Sequence, residues 1–208
     1  GLGILGSATP AMPHTNEFIT LWPNEAATAA CASQLAAVPD VRDAIVALSG
    51  DLGAGKTSFV RHLLRALGVR GRVRSPTYAL AEPHEAVAPD GQAPTAVWHF
   101  DFYRFGDPRE WEDAGLRDIF AQRGLKLVEW PERAAGFMPT PDLSLHIDVL
   151  VPSPPSQPGA LAADCEVDAD MDVPAPRRVH WQAHSARGQC LLDALQRPAR
   201  PPAMPASP

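Results

Sequence analysis

The stretch Gly50-Asp51-Leu52-Gly53-Ala54-Gly55-Lys56-Thr57 decides the fold, because it matches the phosphate-binding pattern G-x-x-x-x-G-K-[ST]. An apolar run over residues 45–48 precedes it, and a run with an apolar face over residues 58–67 follows it. The order strand, glycine loop, helix is the context that a phosphate-binding loop requires. A turn that merely joins a strand to a helix would need neither the lysine nor the hydroxyl. The sequence therefore predicts an α/β fold.

Each residue type in this stretch suits a phosphate ligand. Glycines at 50, 53 and 55 let successive backbone N–H groups point at a β-phosphate, and the helix adds its positive N-terminal end. Lys56 is predicted to reach the β- and γ-phosphates, and the Thr57 hydroxyl to take one coordination position on Mg²⁺. The candidate nucleotide-binding residues in this part of the chain are Asp51, Leu52, Gly53, Ala54, Gly55, Lys56, Thr57 and Ser58.

Composition limits the remaining possibilities. With 208 residues, 45% of them hydrophobic, the chain can bury one α/β core and keep some length for tails or insertions. A net charge of −6 gives no general attraction to nucleic acid or to anionic membranes. The three cysteines lack metal or redox spacing, and no apolar run is long enough to span a bilayer. We therefore expect a cytoplasmic protein with no membrane association.

Composition also predicts the domain boundaries. Residues 1–16 are interpreted as a disordered lead, residues 17–196 as a single domain, and residues 197–208 as a proline-rich tail. An insertion at 152–176 holds six prolines and five acids, which is too polar and too proline-broken to pack. Residues 81–94, with three prolines, are predicted to form a surface loop.

Periodicity and capping residues place the other elements. We predict an edge strand at 18–22, a helix at 26–35 capped by Asn24, and a helix that starts at Asp107-Pro108. Residues 143–149 alternate as a strand with one buried face should. A returning strand at 178–182 and a last helix at 189–195 are predicted to follow the insertion.

Two strand ends supply candidate acids. Residues 96–100 run into Asp101, and residues 125–128 end at Glu129. An acid at the carboxyl end of a parallel strand faces a phosphate loop on a neighbouring strand, although acids also close strands at ordinary turns. One acid would hold Mg²⁺, and the other would support the metal or position the attacking water. His99 shares a strand face with Asp101, and we interpret it as a hydrogen-bonded structural histidine rather than a base.

Two further features leave alternatives open. The segment Ser75-Pro76-Thr77-Tyr78 sets hydroxyls beside a proline, and phosphate-loop enzymes often sense the γ-phosphate through a Thr or Ser in this region. From Lys56 to Arg74 the chain carries six basic residues and no acid. This basic run fits a solvated helix face followed by a basic turn, and it also fits a local contact to RNA phosphates or an acidic partner.

Four motifs together resemble the TsaE (YjeE) family, the small ATPases of bacterial tRNA threonylcarbamoyladenosine synthesis. In chain order they are residues 50–57, Ser75-Pro76-Thr77-Tyr78, His99-Phe100-Asp101-Phe102-Tyr103-Arg104 and Glu129-Trp130-Pro131-Glu132. The resemblance covers about residues 17–150. It implies a P-loop NTPase-like mixed β-sheet flanked by helices.

The resemblance also implies a function and a set of site residues. It implies binding of ATP or ADP with Mg²⁺, weak ATP hydrolysis, and action with TsaD and TsaB on adenosine 37 of tRNA, which is reached through the complex. Matched by motif, Thr57 and Glu129 would be the Mg²⁺ residues, Thr77 the switch residue, and Asp101 a catalytic or metal-supporting acid. Trp130 would lie beside the γ-phosphate. The catalytic set is then Lys56, Thr77, Asp101 and Glu129.

The resemblance does not identify the C-terminal residue that contacts the nucleotide, and two other functions also fit the sequence. A family nucleotide contact near the returning strand would correspond to Arg177, to Arg178 or to neither, because the insertion makes the alignment slip. A small-molecule kinase would use the same loop but would need an acceptor pocket and an acid acting on the acceptor hydroxyl. A nucleotide-gated binding module, whose hydrolysis is incidental, is the third possibility.

Overall fold

The computed structural model of the protein describes residues 15–73, 76, 80–88, 93–151 and 175–198. The strands in these residues are β1 (Glu17–Trp22), β2 (Ile45–Ser49), β3 (Ala81–Ala86), β4 (Thr95–Asp101), β5 (Leu125–Glu129), β6 (Leu143–Val149) and β7 (Arg177–Ala183). The helices are α1 (Glu25–Ala36), α2 (Lys56–Ala66), α3 (Pro108–Asp113), α4 (Leu116–Ala121) and α5 (Ala186–Gln196), and 3₁₀ turns cover Pro39–Asp43 and Pro131–Ala134.

These strands form one mixed sheet in the order β1-β7-β6-β2-β5-β4-β3. Strands β6, β2, β5 and β4 run parallel to one another. Antiparallel strands extend the sheet at both edges, with β7 and β1 on one side and β3 on the other. The structure therefore confirms the predicted α/β fold, a mixed β-sheet flanked by helices. The glycine loop leaves the carboxyl end of β2, next to β5.

The core consists of two hydrophobic clusters. They are separate because successive side chains along a strand point to opposite faces of the sheet. The first lies under α1, α2 and α5, where the rings of Trp22, Phe59 and Trp181 have centroids 5.3 to 6.3 Å apart. The second lies under α3 and α4, where Phe100 and Phe120 stack at 4.6 Å. Because both faces of β2, β4 and β5 are packed, the residues at the carboxyl ends of these strands are held at fixed relative positions.

The predicted surface loop at 81–94 is wrong in its first half. Residues Ala81–Ala86 form β3, which pairs antiparallel with β4, and residues 89–92 lie outside the described residues. Pro83 is exposed on this edge strand, where proline is tolerated because one side of the strand has no sheet neighbour among the described residues. Prolines and charges are typical of edge strands, so a sequence that is read as loop can also be an edge strand.

The other predicted elements are present, with boundaries that move by a few residues. Asn24 caps α1 as predicted, since its Oδ1 accepts a hydrogen bond from Ala27 N at 3.0 Å. The helix predicted to start at Asp107-Pro108 is divided into α3 and α4 at Gly115, whose φ is 62°. A left-handed residue cannot continue a right-handed helix.

The predicted lead, insertion and tail fall mostly on residues 1–14, 152–174 and 199–208, which lie outside the described residues. The domain boundaries therefore stay predictions. At the base of the insertion, Leu150 N donates to Pro176 O at 2.8 Å, which extends the β6–β7 ladder beyond both strands. No helix in the described part of the chain has the length and apolar character that crossing a bilayer requires.

Gly188, in the first turn of α5, lies against the backbone of Asp142. A methyl group on Gly188 would overlap the carbonyl oxygen of Asp142, so we expect Gly188→Ala to lower the free energy of unfolding by about 2–3 kcal/mol. Urea unfolding measures this loss. Gly106→Ala is the matched control, since nothing lies within 4 Å of its added methyl group. Equal stability of the two variants would contradict the packing of α5 described above.

Candidate functional site

The loop between β2 and α2 passes through backbone conformations that favour glycine. Gly50, Gly53 and Gly55 have φ values of 135°, 81° and 108°, which residues with a Cβ rarely adopt. Gly50 also approaches β6 closely, because a Cβ at this position would lie 2.5 Å from Ile147 O. Ala54 N donates to Asp51 O at 3.0 Å and closes a turn within the loop. The backbone thus has the tight curl expected of a phosphate-binding loop.

Helix α2 begins at Lys56, directly after this loop, and its first turn contains no acid. The first N–H groups of a helix have no intrahelical partners, and the helix dipole makes this end positive. Thr57 and Ser58 line the cleft at this helix end. The junction of loop and helix is therefore suited to an anion.

The two predicted acids lie side by side on neighbouring strands. Asp101 on β4 pairs in register with Glu129 on β5, and both line the cleft. Glu129 is 2% exposed, and Thr57 Oγ1 lies 3.0 Å from each of its carboxylate oxygens. Asp101 Oδ1 accepts a hydrogen bond from Tyr103 N at 3.0 Å. The structure thus brings the hydroxyl of the loop motif and both strand-terminal acids to one cleft.

The sequence predicted that His99 is hydrogen-bonded, but it did not predict the partner. His99 is fully buried on β4, and its Nε2 lies 2.7 Å from Glu129 Oε1. The expectation of a hydrogen-bonded histidine agrees with this contact. The partner depends on the register of β4 against β5, which pairs His99 with Leu127, two residues before the pair of Asp101 and Glu129. No sequence signal gave that register.

The Lys56 side chain is turned onto its own loop. Its Nζ donates to Gly50 O at 2.5 Å and to Asp51 O at 2.9 Å, and it lies 4.1 Å from the centre of the Trp130 ring. Burial lowers the pKa of this ammonium group, and the nearby carboxylates, Glu129 foremost, oppose that shift. The cation is therefore held at the mouth of the loop by carbonyls and an aromatic face.

Trp130 follows Glu129 in a strained backbone conformation. Its φ is 56°, and among the described residues other than glycine it alone has a positive φ. Strain of this kind is concentrated at functional sites. The conformation starts the 3₁₀ turn Pro131–Ala134 and sets the indole against Tyr103, with ring centroids 4.9 Å apart. The two rings form an aromatic wall beside Lys56.

Of the two arginines left open by the sequence, Arg177 lies at the cleft. Its Nε donates to Ala54 O at 2.6 Å, and a Cβ on Gly55 would lie 3.0 Å from this Nε. Arg178 instead pairs with Asp148, at 3.4 Å on the exposed face of β7. Adjacent residues of a strand point to opposite faces. Both arginines at the start of the returning strand are visible in the sequence, but the insertion prevented their alignment with the nucleotide contact of the family.

The cleft has a volume of about 340 Å³, within the usual range for small-molecule sites. Its lining residues are Leu52, Gly53, Gly55, Lys56, Thr57, Ser58, Asp101, Tyr103, Glu129, Trp130 and Arg177. Asp51 and Ala54 belong to the same loop through the contacts given above. Thr77, the predicted switch residue, lies outside the described residues. The remaining predicted site residues are therefore gathered at one place.

The oxygen donors of this cleft fit Mg²⁺. Mg²⁺ in nucleotide sites is held by one or two carboxylates or hydroxyls together with substrate phosphates, and it prefers hard oxygen ligands. Thr57 and Glu129 offer this donor set, and Asp101 stands beside them. Within the described residues no group of three or more His, Cys, Asp or Glu side chains could enclose a metal by itself.

The mixed sheet, the glycine loop on its central strand, and the Thr57–Glu129 pair define a P-loop-type α/β protein. Residues 22–151 match the family model described as "Threonylcarbamoyl adenosine biosynthesis protein TsaE". The chain belongs to the TsaE family. The matched range contains both strand-terminal acids and ends before Arg177.

Individual relatives agree with this family. The chain is 42% identical to the tRNA threonylcarbamoyladenosine biosynthesis protein TsaE of Haemophilus influenzae over 104 residues, which is 50% of this chain and 62% of the relative. It is 37% identical to the protein of the same name from Bacillus subtilis over 103 residues, covering 50% of this chain and 60% of the relative. The chain thus spans a little under two thirds of the length of these relatives.

A solved structure supports the fold. The crystal structure of Bacillus subtilis YdiB matches with a TM-score of 0.58 and 24% sequence identity, covering 86% of this chain and 93% of YdiB. At this level of identity the likeness bears on the fold alone.

Proposed function

We propose that this protein binds ATP with Mg²⁺ in the cleft and hydrolyses it weakly, in support of threonylcarbamoyladenosine modification of tRNA at adenosine 37. It works in the cytoplasm with TsaD and TsaB, and tRNA is reached through that complex. The observation that carries the proposal is the contact of Thr57 Oγ1 with both Glu129 oxygens, at 3.0 Å, beside the glycine loop. A hydroxyl and a carboxylate joined at a helix start are the oxygen donors that a Mg²⁺-nucleotide needs.

Phosphate binding is supported by groups of the chain itself. The loop N–H groups and the positive end of α2 attract the β-phosphate. Lys56 exchanges its two carbonyl partners for oxygens of the β- and γ-phosphates. Because Lys56 is 4% exposed as a residue and its ammonium lies against the Trp130 ring, its charge acts through a medium of lowered dielectric. Trp130 then stands beside the γ-phosphate.

The two acids have different roles in hydrolysis. When bound, Mg²⁺ supplies charge neutralisation at the β- and γ-phosphate oxygens, and Thr57 and Glu129 would hold it. Asp101, in register with Glu129 on the next strand, supports the metal or orients the attacking water. Thr77 serves as the γ-phosphate switch. No covalent enzyme intermediate is needed, and the chain does not itself transfer the carbamoyl group.

The experiment that tests this function is ATP turnover by the full chain, alone and with TsaB and TsaD from the same source. A slow basal rate that rises with both partners, and that Lys56→Ala abolishes, is the expected result. A basal rate that is indifferent to TsaB and TsaD would contradict the partnership. Release of ADP that depends on an added small-molecule acceptor would favour a kinase.

Substitution of Arg177 tests whether the phosphates of the nucleotide bind beside the glycine loop, where this side chain lies. We expect Arg177→Ala to weaken ATP binding by about 10-fold, since a hydrogen bond to a charged group contributes roughly 1.5–3 kcal/mol. Calorimetric titration measures the change. Arg178→Ala is the matched control, because it removes the same charge from the neighbouring residue on the other face of β7. Equal affinities in the two variants would remove Arg177 from the phosphate site.

A further inference from the structure

The carboxylate of Glu129 is supported from two sides. Thr57 reaches it from the start of α2, and His99 reaches it from β4, with Nε2 2.7 Å from Oε1. Both His99 and Glu129 are almost completely buried, at 0% and 2% exposure. A buried carboxylate with two fixed partners has little freedom to rotate, so the direction of its free lone pairs is set by these contacts.

The register of the strands explains how His99 reaches this carboxylate. His99 and Asp101 occupy the same face of β4, and they pair with Leu127 and Glu129 of β5. His99 therefore stands two residues before Asp101 on β4, and its pair on β5 stands two residues before Glu129. His99 does not line the cleft, so it is placed behind Glu129 rather than in contact with a nucleotide.

Of the two ring nitrogens of His99, only Nε2 makes a hydrogen bond to another described residue, and that residue is Glu129. Because Nε2 faces a carboxylate, it carries the proton and donates. The opposite nitrogen, Nδ1, is buried and has no hydrogen-bond partner among the described residues. A histidine that served packing alone would be better replaced by an apolar side chain at a fully buried position. Within the part of the chain that the structure describes, the one hydrogen bond that the ring makes is thus the one to Glu129.

We propose that His99 is a positioning residue, which holds the Glu129 carboxylate in the orientation that binds Mg²⁺. This inference rests on the proposed Mg²⁺-nucleotide site. Partners of metal-binding side chains typically change metal affinity by about 10–100-fold when they are removed. The effect is therefore expected in the Mg²⁺ dependence of nucleotide binding, while binding of nucleotide without Mg²⁺ stays unchanged.

The test uses two variants that differ in reach. In His99→Gln the side-chain amide nitrogen falls near the position of Nε2 and can still donate to Glu129, whereas in His99→Asn it falls near Nδ1 and cannot. ADP affinity of the full chain is measured by calorimetry in EDTA and over a series of Mg²⁺ concentrations. His84→Asn is the control, since His84 also has a buried ring nitrogen without a hydrogen-bond partner among the described residues, and it lies on β3, which β4 separates from Glu129 on β5.

We expect His99→Asn to raise the Mg²⁺ concentration for half-maximal tightening of ADP binding by about 10-fold or more. His99→Gln and His84→Asn are expected to stay within about 3-fold of the unaltered protein. Unchanged ADP affinity in EDTA shows that all variants keep the phosphate loop. Equal Mg²⁺ dependence in His99→Asn and His99→Gln would overturn the inference. Absence of any Mg²⁺ effect in the unaltered protein would instead overturn the proposed function itself.

Discussion

Removal of the Lys56 ammonium is expected to weaken binding of ATP and ADP by about 100-fold or more, because hydrogen bonds to charged groups contribute roughly 1.5–3 kcal/mol each. In the structure this ammonium already sits at the mouth of the loop with two carbonyl partners. Phosphate oxygens would replace those carbonyls as stronger, negatively charged acceptors. Lys56→Ala deletes both the charge and the donors, and calorimetric titration with either nucleotide measures the loss.

Two comparisons make the Lys56 prediction specific. Lys56→Met keeps an apolar stem beside the Trp130 ring while removing the charge, and it should lose as much affinity as Lys56→Ala. Arg65→Ala removes an exposed charge from the last turn of the same helix and should bind nucleotide normally. Retention of ATP affinity in Lys56→Met would show that packing, and not the ammonium, is what the nucleotide site requires.

Much of the fold and of the cleft follows from local sequence patterns. The glycine loop fixes a strand before it and a helix after it, and the cap residues Asn24 and Asp107 start helices as predicted. Parallel strands bring their carboxyl ends to one edge, so Asp101 and Glu129 could be placed near the loop before their exact register was known. These predictions depend on patterns among residues that are close together in the chain, so a single sequence contains the information that they need.

What the sequence could not predict depends on register and on long-range contacts. Strand β3 carries Pro83 and charged residues, and only its pairing with β4 makes it a strand. Arg177 reaches the loop at Ala54 across 123 positions of sequence, and the insertion removes any spacing rule that would identify it. The choice of Glu129 as the partner of His99 depends in the same way on the β4–β5 register.

Glu129→Gln is expected to lower Mg²⁺-dependent ATP turnover by about 100- to 1,000-fold, which is a rise of about 3–4 kcal/mol in the activation free energy. The amide keeps an oxygen that accepts from Thr57 and from His99, so both contacts of the buried side chain can persist. The substitution therefore removes the negative charge with little change of shape. Single-turnover hydrolysis over a series of Mg²⁺ concentrations measures the loss.

Binding and turnover should separate in this variant. The loop N–H groups, Lys56 and Arg177 are untouched by Glu129→Gln, so ADP affinity in EDTA should match that of the unaltered protein. Glu85→Gln, an exposed acid on the edge strand β3, removes the same charge away from the cleft and should turn over ATP normally. Full activity in Glu129→Gln would take Glu129 out of the metal site. The acid that holds Mg²⁺ would then have to be Asp101, which pairs with Glu129 in register on β4.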